Sequence, residues 1–407
     1  MLNSNLINYC ILNETKEFMV SANEQAHPSR SAAAFHIAFS GFLSLVVVMG
    51  IGRFTLTPQV PLMIEEHQLT LSTASVVAAF NYLGYLLGSF DAMRARQHVE
   101  RRMWLGIWGA VAITLISALL DGPLLHSIAR FFIGWASGMA LVLVVAWANE
   151  NLAKLNRPAL SVAVFAGTGA GIFLSGLFAV AIQDWQLSAS QGWLIYGGLA
   201  LIFSLYISCH IPRTGQWHRP VGEIKKLQLT PEIKRLVWSY GLAGFGYILP
   251  ATFLSQMAAQ RFPDSLFAQF VWPVFGISAV VGILIAMLLR NFSTTQNRLA
   301  ITLWLQGIGI LISEVISGIS GLVIAAILIG GGLMCAVQLS MQLGRELAPE
   351  HNRFMAGLLT TCYAIGQLIG PMLSFISTTF TGKLEPALYS AFIALCVAGG
   401  LVYRRSR

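Results

Sequence analysis

With 407 residues, 56% hydrophobic and only 10% charged, this chain falls far below the roughly 25% charged residues of a soluble domain. Apolar segments of about 20 residues recur along nearly its whole length, which excludes a soluble fold and predicts a polytopic helical membrane protein. The net charge of +8 would suit nucleic acid, but its placement follows membrane topology, so the lipid bilayer is the expected partner and nucleic acid is not.

Residues 1–33 are polar and mixed. They lack the basic start, apolar core and cleavage site of a signal peptide. A cytoplasmic tail is expected there, with Met19 as an alternative translation start. Twelve spans follow, predicted near 34–63, 70–93, 103–121, 123–149, 159–182, 192–212, 234–260, 267–290, 299–316, 319–343, 353–378 and 386–403. Short connections make successive helices antiparallel neighbours. The exception is 213–233, the longest polar interior connection, expected as a cytoplasmic linker. It separates an N-terminal half, 34–212, from a C-terminal half, 234–407. The fold class is therefore an all-α membrane protein with twelve transmembrane helices in two six-helix halves.

Of the 25 lysines and arginines, with the N-terminus placed inside, only Arg261 and Lys383 fall in outer loops and only Arg53 and Arg130 within spans. The rest lie in inner segments, as the positive-inside rule requires. Both termini are expected in the cytoplasm, with the chain multi-pass in a bacterial inner membrane. Cys10, Cys209, Cys335, Cys362 and Cys396 show no metal or redox spacing and read as small packing residues. The run Gly167-Thr168-Gly169-Ala170-Gly171 superficially matches a nucleotide loop, but no strand precedes it and it lies in a span. No cofactor, metal site or enzyme activity is expected.

An internal repeat is visible at an offset of 194 (244 − 50). Gly50-Ile51-Gly52-Arg53 pairs with Gly244-Phe245-Gly246-Tyr247, and Met63 with Met257. Span five carries Gly167, Gly169, Gly171 and Gly176; span eleven carries Gly366, Gly370 and Pro371. Weak symmetry with Gly/Pro-interrupted spans points to a transporter whose site lies between repeats near the midplane. Gly50, Gly52, Gly244, Gly246, Gly167, Gly171, Gly366, Gly370 and Pro371 are the expected hinge or helix-packing positions. Glycine also serves membrane helices simply by letting backbones approach.

Six plus six spans with a central inner loop resemble the major facilitator superfamily. So do Pro61-Leu62-Met63-Ile64 followed by Asn81-Tyr82-Leu83-Gly84-Tyr85-Leu86-Leu87-Gly88, and Arg130-Phe131-Phe132-Ile133-Gly134 in span four. Gly366-Gln367-Leu368-Ile369-Gly370-Pro371 resembles the superfamily's glycine-proline antiporter motif, which is normally found in span five. Gly50-Ile51-Gly52-Arg53-Phe54 and Gly244-Phe245-Gly246-Tyr247-Ile248-Leu249-Pro250 resemble the YbfB/YjiJ-type subfamily. The motif between spans two and three is degraded: Met93, Gln97, His98 and Glu100 stand where glycine, acid, arginine and glycine are usual. The resemblance implies that spans one, four, seven and ten line a cavity.

Arg53 is the leading site residue, because an arginine in an apolar run is costly and offers five donors suited to a carboxylate or phosphate. The remaining substrate-binding candidates are Tyr247, Arg130, Tyr240, Gln338, Asn81 and Gln256, which place hydrogen-bonding groups in apolar helices. Tyr240 and Tyr247 lie seven apart and share a face. Proton-coupling candidates are Arg130, by resemblance, with Glu314 and Asp91; Asp91 is also spaced to pair with Arg94 one turn on. The expected function is secondary active transport of a small organic anion, zwitterion or amphiphile by alternating access. Coupling to protons is expected, as are export by resemblance and a monomeric state. The alternative is a non-transporting membrane sensor that keeps the fold.

Overall fold

Hydrocarbon offers backbone groups no partners, so a segment crossing it closes its own hydrogen bonds as a helix. The computed structural model describes residues 31–404 apart from 96, 214, 216, 218–227 and 264. The alternative start at Met19 and most of the expected linker lie outside the described residues. Among them, twelve helices are long and apolar enough to cross a membrane. They are α1 (Ser31–Glu65), α2 (Leu71–Arg94), α3 (Val99–Leu119), α4 (Gly122–Lys154), α5 (Pro158–Asp184) and α6 (Ala189–Ser208), then α7 (Pro231–Arg261), α8 (Val271–Asn291), α9 (Thr295–Val315), α10 (Ile319–Leu347), α11 (Phe354–Thr381) and α12 (Glu385–Val402). Each predicted span falls on one helix. Some helices run past their apolar windows, because polar residues beyond the hydrocarbon extend the ladder. At the end of α4, Lys154 pairs with Glu150 one turn back at 2.8 Å, a favourable spacing.

The helices are not equally enclosed. In α1 and α7, 72% of the most apolar window is buried, against 61% in α4, α5 and α10 and 39–50% elsewhere. The two repeat-related helices are thus the innermost pair. They meet where repeat-equivalent positions cross: Thr57 Oγ1 donates to the carbonyl of Ala251 at 2.9 Å, 194 residues away. Tyr82 and Thr252 share a hydroxyl hydrogen bond of 2.9 Å, and Ser72 Oγ donates to Thr378 Oγ1 at 3.4 Å. These bonds join the first six helices to the last six at the end away from the termini. Along their flanks α2 packs against α11 and α5 against α8.

Close backbone approach holds each set of six together. A Cβ placed on Gly50 would lie 2.3 Å from the Cα of Gly171, and one on Gly366 would lie 2.0 Å from the carbonyl oxygen of Gly241. α1 with α5, and α7 with α11, are therefore in contact along glycine seams. Gly167 meets the Phe42 carbonyl and Gly244 the Tyr363 carbonyl in the same seams, and Gly370 meets Ile248. Gly246 faces Leu395 of α12, and Gly52 has its own helix's Val47 carbonyl nearest. Pro371 lies inside α11 and leaves the Gln367 carbonyl, one turn back, without a helical donor.

α1 is not a uniform helix. Val46–Arg53 is wound as a π-helix, with the Phe54 amide bonded to the Met49 carbonyl at 2.9 Å. Downstream, Pro58 supplies no amide to the Phe54 carbonyl, which accepts from Thr57 at 3.2 Å instead. Neighbouring helices furnish donors to this wide turn. Ser137 Oγ donates to the Val48 carbonyl at 2.7 Å, Arg130 Nη1 to the Gly52 carbonyl at 2.9 Å, and Asn81 Nδ2 to the Arg53 carbonyl at 3.4 Å. Irregular turns of this kind concentrate at functional sites.

Gly50→Val forces α1 off α5. It should destabilise the protein by about 1–3 kcal/mol or more, as overpacking does, seen as a lowered thermal midpoint in detergent. Gly198→Ala, with nothing within 4 Å of the new methyl, should leave the midpoint unchanged.

Candidate functional site

The π-helical turn ends on Arg53, which is 2% exposed. Its Nη2 donates to Gln367 Oε1 of α11 at 2.7 Å, and the other end of that amide, Nε2, donates to the hydroxyl of Tyr247 on α7. One chain of hydrogen bonds thus runs from the arginine position of one repeat to the tyrosine position of the other. Three rings surround the guanidinium: Tyr85 at 3.8 Å, Tyr82 at 5.0 Å and Phe54 at 5.2 Å from its central carbon. Cation–π contact offsets part of the cost of burying the charge. No carboxylate among the described residues pairs with Arg53, and its Nε is buried with no partner.

Arg53 stands at the inner end of a cavity of about 670 Å³, a volume ordinary for a small-molecule site. Tyr85, Tyr240, Tyr247, Tyr363 and Gln367 line the same end. Tyr240 and Tyr247 both stack on Tyr363, with centroids 4.4 and 5.5 Å away, so the shared face of α7 presents a tyrosine platform. From there the walls are aliphatic and thioether, among them Leu141, Val145, Met334, Val337 and Met341. The cavity extends to the terminus-side ends of α4 and α10, where Asn149, Glu150 and Arg345 line it. Glu150 is held by Lys154 and by the Trp217 indole, whose Nε1 donates to Oε2 at 2.9 Å.

The expected residues divide. Arg53, Tyr247 and Tyr240 come together in the cavity lining, whereas Arg130, Asn81, Gln338 and Gln256 are not part of it. Arg130 is fully buried between helices, bonded to the Gly52 carbonyl, with its guanidinium carbon 4.2 Å from the Trp193 ring. Its observed contact is with the backbone beside Arg53, as is that of Asn81. The side-chain oxygens of Gln338 and Gln256 are buried without a protein donor. Glu314 is held by Arg261 Nη2 at 2.9 Å through both oxygens, at the end away from the termini. Asp91 corrects the sequence reading: its ion pair is with Arg102 on α3, while Arg94 lies over the Phe90 ring at 4.1 Å. Helix α2 ends at Arg94, and the short connection folds Arg102 back against Asp91. In the degraded loop motif, Glu100 accepts from the backbone amides of Gly215 and Trp217 at 3.0 and 2.9 Å and so anchors the start of the connection to α7.

Sequence reasoning passed over Gln367, Tyr85, Tyr363 and Glu150. Gln367 sits inside the glycine-proline run of α11, and an amide one turn before a proline in an apolar helix was the signal that could have found it.

Comparison with known proteins fits this architecture. The family described as "Uncharacterised MFS-type transporter YbfB" matches residues 45–403. Among solved structures, the crystal structure of a mutant of the nucleoside transporter NupG superposes with a TM-score of 0.65. That match has 12% sequence identity and covers 91% of this chain and 97% of that one, so it speaks to the fold alone. No curated protein sequence matches. With the family match spanning residues 45–403 and twelve apolar helices long enough to cross a membrane among the described residues, the protein belongs to the YbfB-type family of major facilitator superfamily transporters.

Proposed function

We propose that the protein is a secondary active transporter of a small organic anion or zwitterion, taken at Arg53 and moved by alternating access. The observation that carries this reading is Arg53 itself, a buried cation with no carboxylate partner among the described residues, at the inner end of a mostly apolar cavity. Isolated buried charge is expensive, and an arriving anion supplies the missing counter-charge. The purely cationic substrate fits poorly, since among the described lining residues Glu150, out at the mouth, is the sole acid. We further propose that 34–212 and 234–407 are two halves that rock about the α1–α7 contact. With both termini in the cytoplasm of a bacterial inner membrane, the bonds from Thr57, Tyr82 and Ser72 close the outer side, and the cavity faces inward.

Charge favours export: an anion leaving a negative-inside cell gains about 2.3 kcal/mol per charge per 100 mV. Proton antiport would add to that drive, and we assign it to Glu150 as the acid of the lining. Under this reading the chain works as a monomer with the substrate, the bilayer and the proton as its partners.

In proteoliposomes with an imposed voltage and pH gradient, a panel of radiolabelled organic carboxylates, sulfonates and amino acids should yield a transported anion. Arg53→Gln should lower its transport by about tenfold or more, the worth of a charged hydrogen bond, while the protein still elutes as a single species. Unchanged kinetics in that variant would remove the assignment. Glu150→Gln should abolish the response to the pH gradient, whereas Glu314→Gln should keep it; the reverse result would move the coupling group to α9.

A further inference from the structure

The edge of the Arg53 guanidinium formed by Nε and Nη2 is half filled. Nη2 bonds Gln367, and Nε, on the same edge, is buried without a partner. Two parallel N–H groups on one edge are the fork that a carboxylate takes bidentately, in bonds about twice as strong as those to a neutral acceptor. Gln367 fills one half of this fork with an amide oxygen 2.7 Å from Nη2, a neutral acceptor where a carboxylate oxygen would be charged. It is itself fully buried, and its other end holds Tyr247. Arg53 belongs to α1, whereas Gln367 and Tyr247 belong to α11 and α7, so the same bond also ties the first six helices to the last six.

The cavity that Arg53 and Gln367 line restricts what else the ligand carries. Between the tyrosine platform and the mouth the lining is largely Leu, Val and Met, with Thr168 its polar exception among the described residues before Asn149 and Thr360. A ligand rich in hydroxyls would leave its polar groups unpaired against such walls, at a cost for each. An apolar body gains from them, and methionine thioethers adapt to irregular shapes and aromatic faces.

Resting on the assignment of Arg53 as the anion site, we propose that the substrate is an amphiphilic organic carboxylate that enters head first and displaces Gln367 from Arg53. Its apolar body lies along the aliphatic and methionine wall. Gln367 is a positioning residue: it keeps the fork in place and bridges the two sets of helices until a carboxylate replaces it. Losing that bridge releases Tyr247 and loosens the closed end at Ser72 and Thr378. Recognition of the substrate and release of the closed end are then one exchange of acceptors on one guanidinium.

Binding of 1-naphthoate, 1-naphthamide and acetate to the full chain in nanodiscs, with empty nanodiscs as reference, tests this directly. Naphthoate should bind at least roughly tenfold more tightly than either the neutral or the small probe. Gln367→Glu, which supplies a resident carboxylate, should weaken naphthoate by roughly tenfold or more, and Gln367→Ala, which removes the competitor, should bind it at least as well as the native chain. A Ser72→Cys and Thr378→Cys pair, with the native cysteines replaced, should cross-link more slowly with naphthoate, and this slowing should vanish on adding Gln367→Glu. Equal binding of naphthoate and naphthamide, undiminished binding in Gln367→Glu, or weakened binding in Gln367→Ala would each overturn the proposal. So would a cross-linking rate indifferent to naphthoate. Should Gln367→Glu not fold, Gln367→Ala and the cysteine pair still decide. If naphthoate binds as expected but nothing moves in proteoliposomes, the transport reading falls and the exchange stands. If anions move but Gln367→Glu binds naphthoate as tightly as the native chain, the exchange falls and transport stands.

Discussion

A guanidinium held away from water, with no counter-ion among the described residues, is the constraint around which this molecule is arranged. The idealised cost of bringing one charge into an apolar interior is of order 20 kcal/mol, and several kcal/mol remain after relaxation. Arg53 tolerates that cost through a ring of partial measures. Tyr85, Tyr82 and Phe54 present their faces or lie close by, Gln367 lends one carbonyl, and the cavity brings polarisable space alongside. None of these neutralises the charge. The backbone carrying it is irregular in turn, and Ser137, Arg130 and Asn81 each give up a donor to the carbonyls of that wide turn. Two of the buried polar side chains in the first six helices that looked like ligands are thus explained by the shape of α1.

Symmetry sets the frame and its breaking sets the chemistry. α1 and α7 are equally enclosed and meet at positions 194 residues apart, so the two repeats face each other about a common contact. At the next cavity-facing level the first repeat places Arg53 and the second Tyr247. A guanidinium and a phenol cannot form the reciprocal contact that two identical groups would, and a third residue, Gln367, spans them with an acceptor at one end and a donor at the other. An amide suits that position because it can serve both neighbours at once, whereas a carboxylate could offer Tyr247 an acceptor only.

The frame was legible in the sequence because its cause is local. Twenty apolar residues suffice to mark a span, and basic residues mark the loops, so all twelve helices emerge from windows that need no knowledge of neighbours. Helix ends were less legible, since pairs such as Glu150 and Lys154 sustain helix beyond the hydrocarbon. Arg53 stood out as a charge where charges are costly, and the seven-residue spacing of Tyr240 and Tyr247 predicted their common face, which the shared stacking on Tyr363 displays. The partners were not legible, because they come from elsewhere in the chain. Gln367 is 314 residues from Arg53, and in sequence it cannot be told from Gln306, which spends its amide on the Ile329 carbonyl. Arg130 and Asn81 matched the pattern of ligands for the same reason: a polar group in an apolar helix must bond something, and the chain alone does not say whether that is a substrate or a carbonyl. Asp91 shows the limit at short range, where the end of α2 at Arg94 and the return of the chain that brings Arg102 against Asp91 mattered more than helical spacing.

The neutrality of Gln367 bears on how such a protein can move at all. A ligand shifts a conformational equilibrium only by the difference in its affinity for the two states. Were the resident partner of Arg53 a carboxylate, an incoming anion would exchange like for like. It would also leave a second buried charge behind, so its binding would carry little differential energy. With an amide as the resident partner, an arriving carboxylate would form stronger bonds than it breaks and would leave behind a neutral group rather than a second buried charge. Moving a population from mostly closed to mostly open requires several kcal/mol of such difference. One buried guanidinium changing from a neutral to an ionic acceptor would contribute roughly 1–2 kcal/mol toward that difference, and burial of an apolar body along the aliphatic wall would add to it.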